Sequence, residues 1–215
     1  MSGGRSADSG RVIALLGAES TGKTTLALQL GQALADEGRR VEVVPETLRE
    51  FCDREGRTPR IDEQAAIAAE QTRRITAAAA RCELVLADTT ALMTAVYSDI
   101  VFGDRSLYPQ AQADQRACHL TLLTALDLPW QPDGLQRDGP QVRPPVDTRV
   151  RAALLAAGLP FAVVGGQGPA RLANALQAVQ HALGEPLAEP TPRWRGVCER
   201  CGDPDCERHL LAGNI

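Results

Sequence analysis

Gly17-Ala18-Glu19-Ser20-Thr21-Gly22-Lys23-Thr24 follows the pattern G-x4-G-K-S/T. Each residue type in it has a reason. The glycines let backbone N–H groups curl around phosphate oxygens, and a helix starting at the end of the loop adds a favourable dipole. Lys23 is placed to reach the β and γ phosphates, and the Thr24 hydroxyl suits Mg²⁺. Glu19, Ser20, Thr21 and Thr25 complete the expected nucleotide contacts. Of the 23 basic residues Lys23 is the one lysine and the other 22 are arginine. A lysine kept against that bias marks a position needing a compact ammonium rather than a planar fork.

Two further carboxylates follow short apolar runs. Asp88 comes after Leu84 to Ala87, from where it would reach the same Mg²⁺ as Thr24; capping the next helix is the alternative. Glu46 comes after Val41 to Val44 and is expected to take the proton of an acceptor hydroxyl, with a solvated Glu after Pro45 as the alternative. Glu19 is open to a metal-supporting, an acceptor-contacting or a structural role. Asp133 to Arg151 reads as a cationic lid over the phosphates, with Arg137 and Arg143 as its charge-stabilising residues. Gln64 and Gln71 read first as solvated helix side chains and second as amides for an acceptor.

The C-terminal stretch carries Cys198, Cys201, Cys206 and His209, a spacing suited to a tetrahedral Cys3His Zn²⁺ site that would let a coreless appendage fold. Cys52, Cys82 and Cys118 are scattered and are expected to be small buried residues.

These groups need a scaffold, and the hydrophobic pattern supplies it. Apolar runs at 11–16, 41–44, 84–87, 119–125 and 161–164 read as strands. Stretches at 24–34, 61–80, 90–101, 149–157 and 169–183 read as helices, the second with Ile61, Ala68 and Ile75 on one face. Strands alternating with helices predict a mainly parallel five-stranded sheet covered on both faces, a three-layer α/β/α P-loop NTPase fold. The expected organisation is a disordered tail at 1–10, a kinase or ATPase domain at 11–183 with its lid at about 133–149, a linker at 184–196 and the metal-binding tail at 197–215.

Composition narrows the partners. A net charge of −4 and a pI near 5.5 disfavour nucleic acid. No apolar run approaches a membrane span and no export signal is visible, so a cytoplasmic protein with reduced thiols is expected.

The phosphate loop at 17–24, Pro45-Glu46-Thr47 with Arg49, Asp88-Thr89 followed by Leu92-Met93-Thr94, and Leu128-Pro129-Trp130 with Asp133-Gly134 together give a family likeness. From about Arg11 to Leu183 the chain resembles the nicotinamide riboside kinase domain of the bifunctional bacterial NAD-biosynthesis regulator, of an AAA-type ATP-binding family. Arg137 stands one place later than that pattern. No adenylyltransferase segment precedes the domain, so the second NAD-forming step is not expected of this chain. The resemblance implies ATP-dependent phosphorylation of a riboside 5′-hydroxyl, with Lys23 and Thr24 on phosphate and metal, Asp88 on metal and Glu46 near the hydroxyl. Two other classes remain open: a regulatory P-loop ATPase acting on a protein partner through the zinc tail, and a nucleotide-binding nucleic-acid module.

Overall fold

In the computed structural model, residues 9–131 and 139–185 are described. The chain runs β1 (Arg11–Leu16), α1 (Lys23–Asp36), β2 (Val41–Val44), α2 (Thr47–Glu55), α3 (Gln64–Ala79), β3 (Leu84–Asp88) and α4 (Ala91–Phe102). It continues through α5 (Tyr108–Arg116), β4 (Leu120–Thr124), α6 (Arg143–Ala156), β5 (Ala162–Val164) and α7 (Gly168–Leu183). The five strands form one parallel sheet in the order β2-β3-β1-β4-β5. The expected strands are all present, within a residue or two at their ends.

Side-chain alternation along the strands divides the core. Ile13, Leu15, Leu86 and Leu122 face α1 and α7, where Leu26, Leu30, Leu34, Ala175 and Val179 bury against them. Leu16 and Leu123 face the other way, onto Ala68 of α3, Met93 and Val96 of α4 and Val150 and Leu154 of α6. Val44 and Val85 pack under the end of α3 through Ala78 and Ala79. Few aromatics are needed, because aliphatic and alanine contacts fill both layers.

The sequence pattern missed α2 and α5. Leu48 and Cys52 of α2 bury one short face, while α5 buries only Ala111 and Gln115, too little for a periodic signal. The helix expected at 149–157 begins earlier, inside the stretch assigned to the lid. Pro140–Val142 is a 3₁₀ turn and α6 starts at Arg143, with Pro144 and Pro145 in its first turn, where a missing N–H costs nothing. Residues 132–138 of that stretch lie outside the described residues. Ile61 is 51% exposed in a 3₁₀ turn ahead of α3 and so does not join the buried face of that helix. Gly10, expected in the tail, donates its N–H to Ala79 O at 2.7 Å. Cys52 is buried, whereas Cys82 and Cys118 are only half-buried.

Among the described residues no helix is long and apolar enough to cross a membrane. The tail with Cys198, Cys201, Cys206 and His209, and most of the expected linker, lie outside the described residues.

Candidate active site

All five strands point their carboxyl ends toward one edge, and the loop after β1 sits at its centre. That is where ligands bind in open parallel sheets. Gly17 has φ +148°, and a Cβ there would stand 2.0 Å from the Thr124 hydroxyl, so only glycine lets the loop pass so close to β4. Thr124 in turn shares a hydrogen bond with Thr21 at 2.7 Å and donates to Leu16 O at 3.1 Å. Ser20 adopts φ +54°, a left-handed conformation that non-glycine residues take at a cost and that recurs at binding sites. The α1 N-terminus has Gly22 as its cap residue and no side-chain cap, which leaves its first amides for a ligand.

Lys23 is buried to 6% exposure, and its Nζ donates to Ala18 O at 2.8 Å across the loop, so the ammonium lies over the cradle. Thr24 Oγ1 donates to Asp88 Oδ2 at 2.5 Å, joining the loop to the end of β3. The other Asp88 oxygen, Oδ1, is buried without a hydrogen bond. Asp88 does not cap α4, because Thr90 does so, its hydroxyl accepting from Leu92 N at 3.3 Å. A hydroxyl and a carboxylate side by side, one oxygen unmatched, fit a hard cation such as Mg²⁺.

Glu46 is 9% exposed and does not spend its carboxylate on capping α2, which sets aside the solvated reading. Burial pushes its pKa above the ordinary carboxylate value, Lys23 and Arg49 pull it back down, and Asp88 pushes it up again, with a net rise. Arg49 Nε stands 3.5 Å from Glu46 Oε2. Glu19 Oε2 is also buried without a hydrogen bond. The Tyr97 phenol of α4 reaches Glu19, and burial together with Glu19 and Glu46 raises the pKa of Tyr97 well above its usual value. Lys23, Glu46, Asp88, Glu19, Arg49 and Tyr97 therefore share one electrostatic neighbourhood.

A cavity of about 430 Å³ opens over the loop. Ser20, Thr21, Gly22, Lys23, Thr24 and Thr25 line one side, and Arg49, Leu128, Pro129, Gln131 and Arg171 the other. Its size is ordinary for a small-ligand cleft. Ser20 Oγ accepts from Gln131 N at 2.7 Å and ties the segment after β4 across the loop.

Of the two arginines assigned to the lid, Arg143 is described, and it sits in a helix. Arg143 is buried in the first turn of α6, where Nη1 donates to Leu128 O at 2.8 Å while Nε and Nη2 are buried without partners. Arg137 lies outside the described residues. Gln64 and Gln71 are buried, not solvated, because α3 turns that face inward across the sheet edge.

Arg171 was missed. Its Nη2 donates to Thr21 O at 2.8 Å, and Nη1 donates to Asp127 Oδ1 at 2.7 Å and to Gly166 O at 3.0 Å. Burial opposes the charge of Asp127, but the Gly166 N–H and the Arg171 guanidinium outweigh it and hold its pKa below the usual range. A cation in the first turn of a helix runs against the dipole, and that was the available signal. It was lost among 22 arginines.

The comparisons with known proteins follow the same outline. A solved structure described as NadR protein in complex with NR shares the fold, with TM-score 0.68 and 19% identity, covering 85% of this chain and 53% of that one. Another, NadR protein in complex with NAD and AMP-PNP, gives TM-score 0.66 and 18% identity, covering 84% and 52%. This chain thus spans about half the length of those two. No curated protein matches it. Residues 12–171, from β1 to the first turn of α7, match the model of the AAA domain family. By that match, which takes in the whole phosphate cradle and both carboxylates beside it, the chain belongs to the AAA domain family.

Proposed function

We propose that this chain is an ATP-dependent kinase that moves the γ-phosphoryl group of ATP to the 5′-hydroxyl of a small riboside, with nicotinamide riboside the first candidate. The observation that carries this reading is Glu46: a buried carboxylate with a raised pKa, in the electrostatic neighbourhood of Lys23 and Asp88 and not committed to a helix cap. A carboxylate whose pKa is raised is a stronger base than an ordinary one and can take the proton of an alcohol acceptor, a role that phosphate binding alone does not require.

In this reading the loop amides and Lys23 hold the β and γ phosphates, and Glu46 orients the acceptor hydroxyl and takes its proton. Thr24 and Asp88 would hold Mg²⁺, which would supply charge neutralisation on the phosphate oxygens. Arg143, bonded to the segment after β4, supplies a further cation, and Arg137, outside the described residues, is proposed as another. The resemblance to the nicotinamide riboside kinase family favours a riboside over other alcohols. The Cys198, Cys201, Cys206 and His209 tail is proposed to hold a structural Zn²⁺ and to offer a surface for a protein partner.

Mass spectrometry of products formed from ATP, Mg²⁺ and a panel of ribosides tests the reading. A phosphorylated riboside supports it and names the acceptor. ADP and free phosphate alone would replace it with a regulatory ATPase acting through the tail.

A further inference from the structure

The sheet holds Asp88 but not Glu46. Asp88 ends β3 in register with Leu15 of β1, whereas the β2–β3 ladder ends at the pair Val44↔Ala87, so Glu46 lies on a turn beyond the last rung and its spacing from Asp88 is left open. One side chain takes over there. Gln71 of α3 is 1% exposed, and its Oε1 accepts the Thr47 N–H at 2.7 Å. Its Nε2 donates to Pro45 O at 3.3 Å and to Thr89 O at 3.4 Å. Pro45 and Thr47 bracket Glu46, and Thr89 follows Asp88. A single amide therefore binds the turn that carries Glu46 and the turn that leaves β3 after Asp88.

Both ends of the amide are needed. An acceptor is required for the Thr47 N–H and a donor for the two carbonyls, and among side chains of this length only glutamine has both in a charge-neutral form. The turn it holds is not at rest by itself. Thr89 has φ +75°, an uncommon conformation for a residue with a β-branched side chain, and its N–H is fixed to Leu15 O at 3.0 Å while its carbonyl faces Gln71.

We infer that Gln71 is a positioning residue that sets the separation of the Glu46 and Asp88 carboxylates. The inference rests on the kinase reading of those two groups. Its physical content is independent of the acceptor: without the amide, the turns part and water reaches Glu46. The charged and titratable groups facing Glu46 are Lys23 from α1, Arg49 and Cys52 from α2, Asp88 from β3 and Tyr97 from α4. Since burial is the largest influence on Glu46, admitting water lowers its pKa toward the ordinary carboxylate value.

Two variants test this. Gln71→Met keeps the length and apolar stem but removes both hydrogen-bonding ends. Thr47→Pro removes the N–H that Oε1 accepts, together with the Thr47 hydroxyl, which is buried without a hydrogen bond. Proline suits this first helical position, and Glu46, at ψ 111°, already has the extended conformation that precedes proline. The first readout is the titration of Glu46 itself, followed by ¹³C NMR of its labelled carboxyl group and assigned with Glu46→Gln. The second is kcat and KM for acceptor phosphorylation.

Gln71→Met is expected to lower the Glu46 pKa and to cut kcat by about 10²-fold, the usual cost of a misplacement of about 1 Å, with KM for ATP little changed. Thr47→Pro is expected to do the same to a smaller extent. An unchanged Glu46 titration in both folded variants overturns the inference. If Gln71→Met does not fold, Thr47→Pro decides alone. A wild-type protein that phosphorylates no riboside would defeat the kinase reading, while the titration would still decide the role of Gln71.

Discussion

Replacing Glu46 by glutamine separates catalysis from stability, and the structure gives the sign of each. Glutamine keeps the shape and removes the charge and the base. A general base contributes about 10²–10⁴-fold to a rate. Phosphoryl transfer has a loose transition state with little bond formation to the attacking oxygen, so the lower part of that range applies, about 10²–10³-fold in kcat. That loss equals about 2.7–4 kcal/mol of barrier.

Stability moves the opposite way. The pKa of Glu46 is raised in the folded protein, so the folded state binds this proton more tightly than the unfolded chain. Its contribution to stability therefore falls as pH rises from the ordinary carboxylate value through the raised one. Glu46→Gln has no such loss. It should melt no lower than wild type at neutral pH, and its advantage should shrink as the pH is lowered through the Glu46 range.

Steady-state phosphorylation of the acceptor, binding of an ATP analogue and melting curves across pH make the assay. Wild-type activity should fall on acidification through the raised pKa, and the residual activity of the variant should not show that limb. Turnover of Glu46→Gln within about threefold of wild type would refute the base role, as would a loss in nucleotide affinity as large as the loss in kcat.

Arg143→Met tests whether a buried cation waits for phosphate. A guanidinium with Nε and Nη2 unpartnered costs desolvation, and an apolar replacement of a buried charge is often neutral or stabilising by about 1–4 kcal/mol. The variant should melt no lower than wild type and lose about 10²-fold in kcat; a lower melting temperature with full turnover would leave Arg143 as a brace for Leu128. Metal analysis of the purified chain should give about one zinc per molecule, lost in Cys201→Ser and Cys206→Ser, and a zinc-free wild-type chain would refute the Cys3His site.

The elements that were legible share one property: they are local. Strand, glycine turn, lysine and helix follow one another from Arg11 to Asp36, and short apolar runs at 84–88 and 120–124 mark strands whichever neighbours they find. The start of α6 was not legible, since prolines such as Pro144 and Pro145 both break a helix interior and open a helix. Helix α5 left no periodic trace because it buries only Ala111 and Gln115 and makes most of its contacts through polar groups. Gln115, for example, accepts from the Thr90 hydroxyl and donates to Thr121.

The sequence by itself determined that a phosphate cradle follows β1 and that Glu46 and Asp88 follow successive apolar runs, because motif spacing and short apolar runs are properties of contiguous residues. Only the tertiary structure decided what those groups can do. Burial at the sheet edge raised the pKa of Glu46, Thr24 found Asp88 64 residues away, and Arg171 found the Thr21 carbonyl 150 residues away. Gln71 was set between two turns by the packing of α3. Desolvation and hydrogen bonding depend on which surfaces close over a group, and chain separations of this length leave no periodic mark in the sequence.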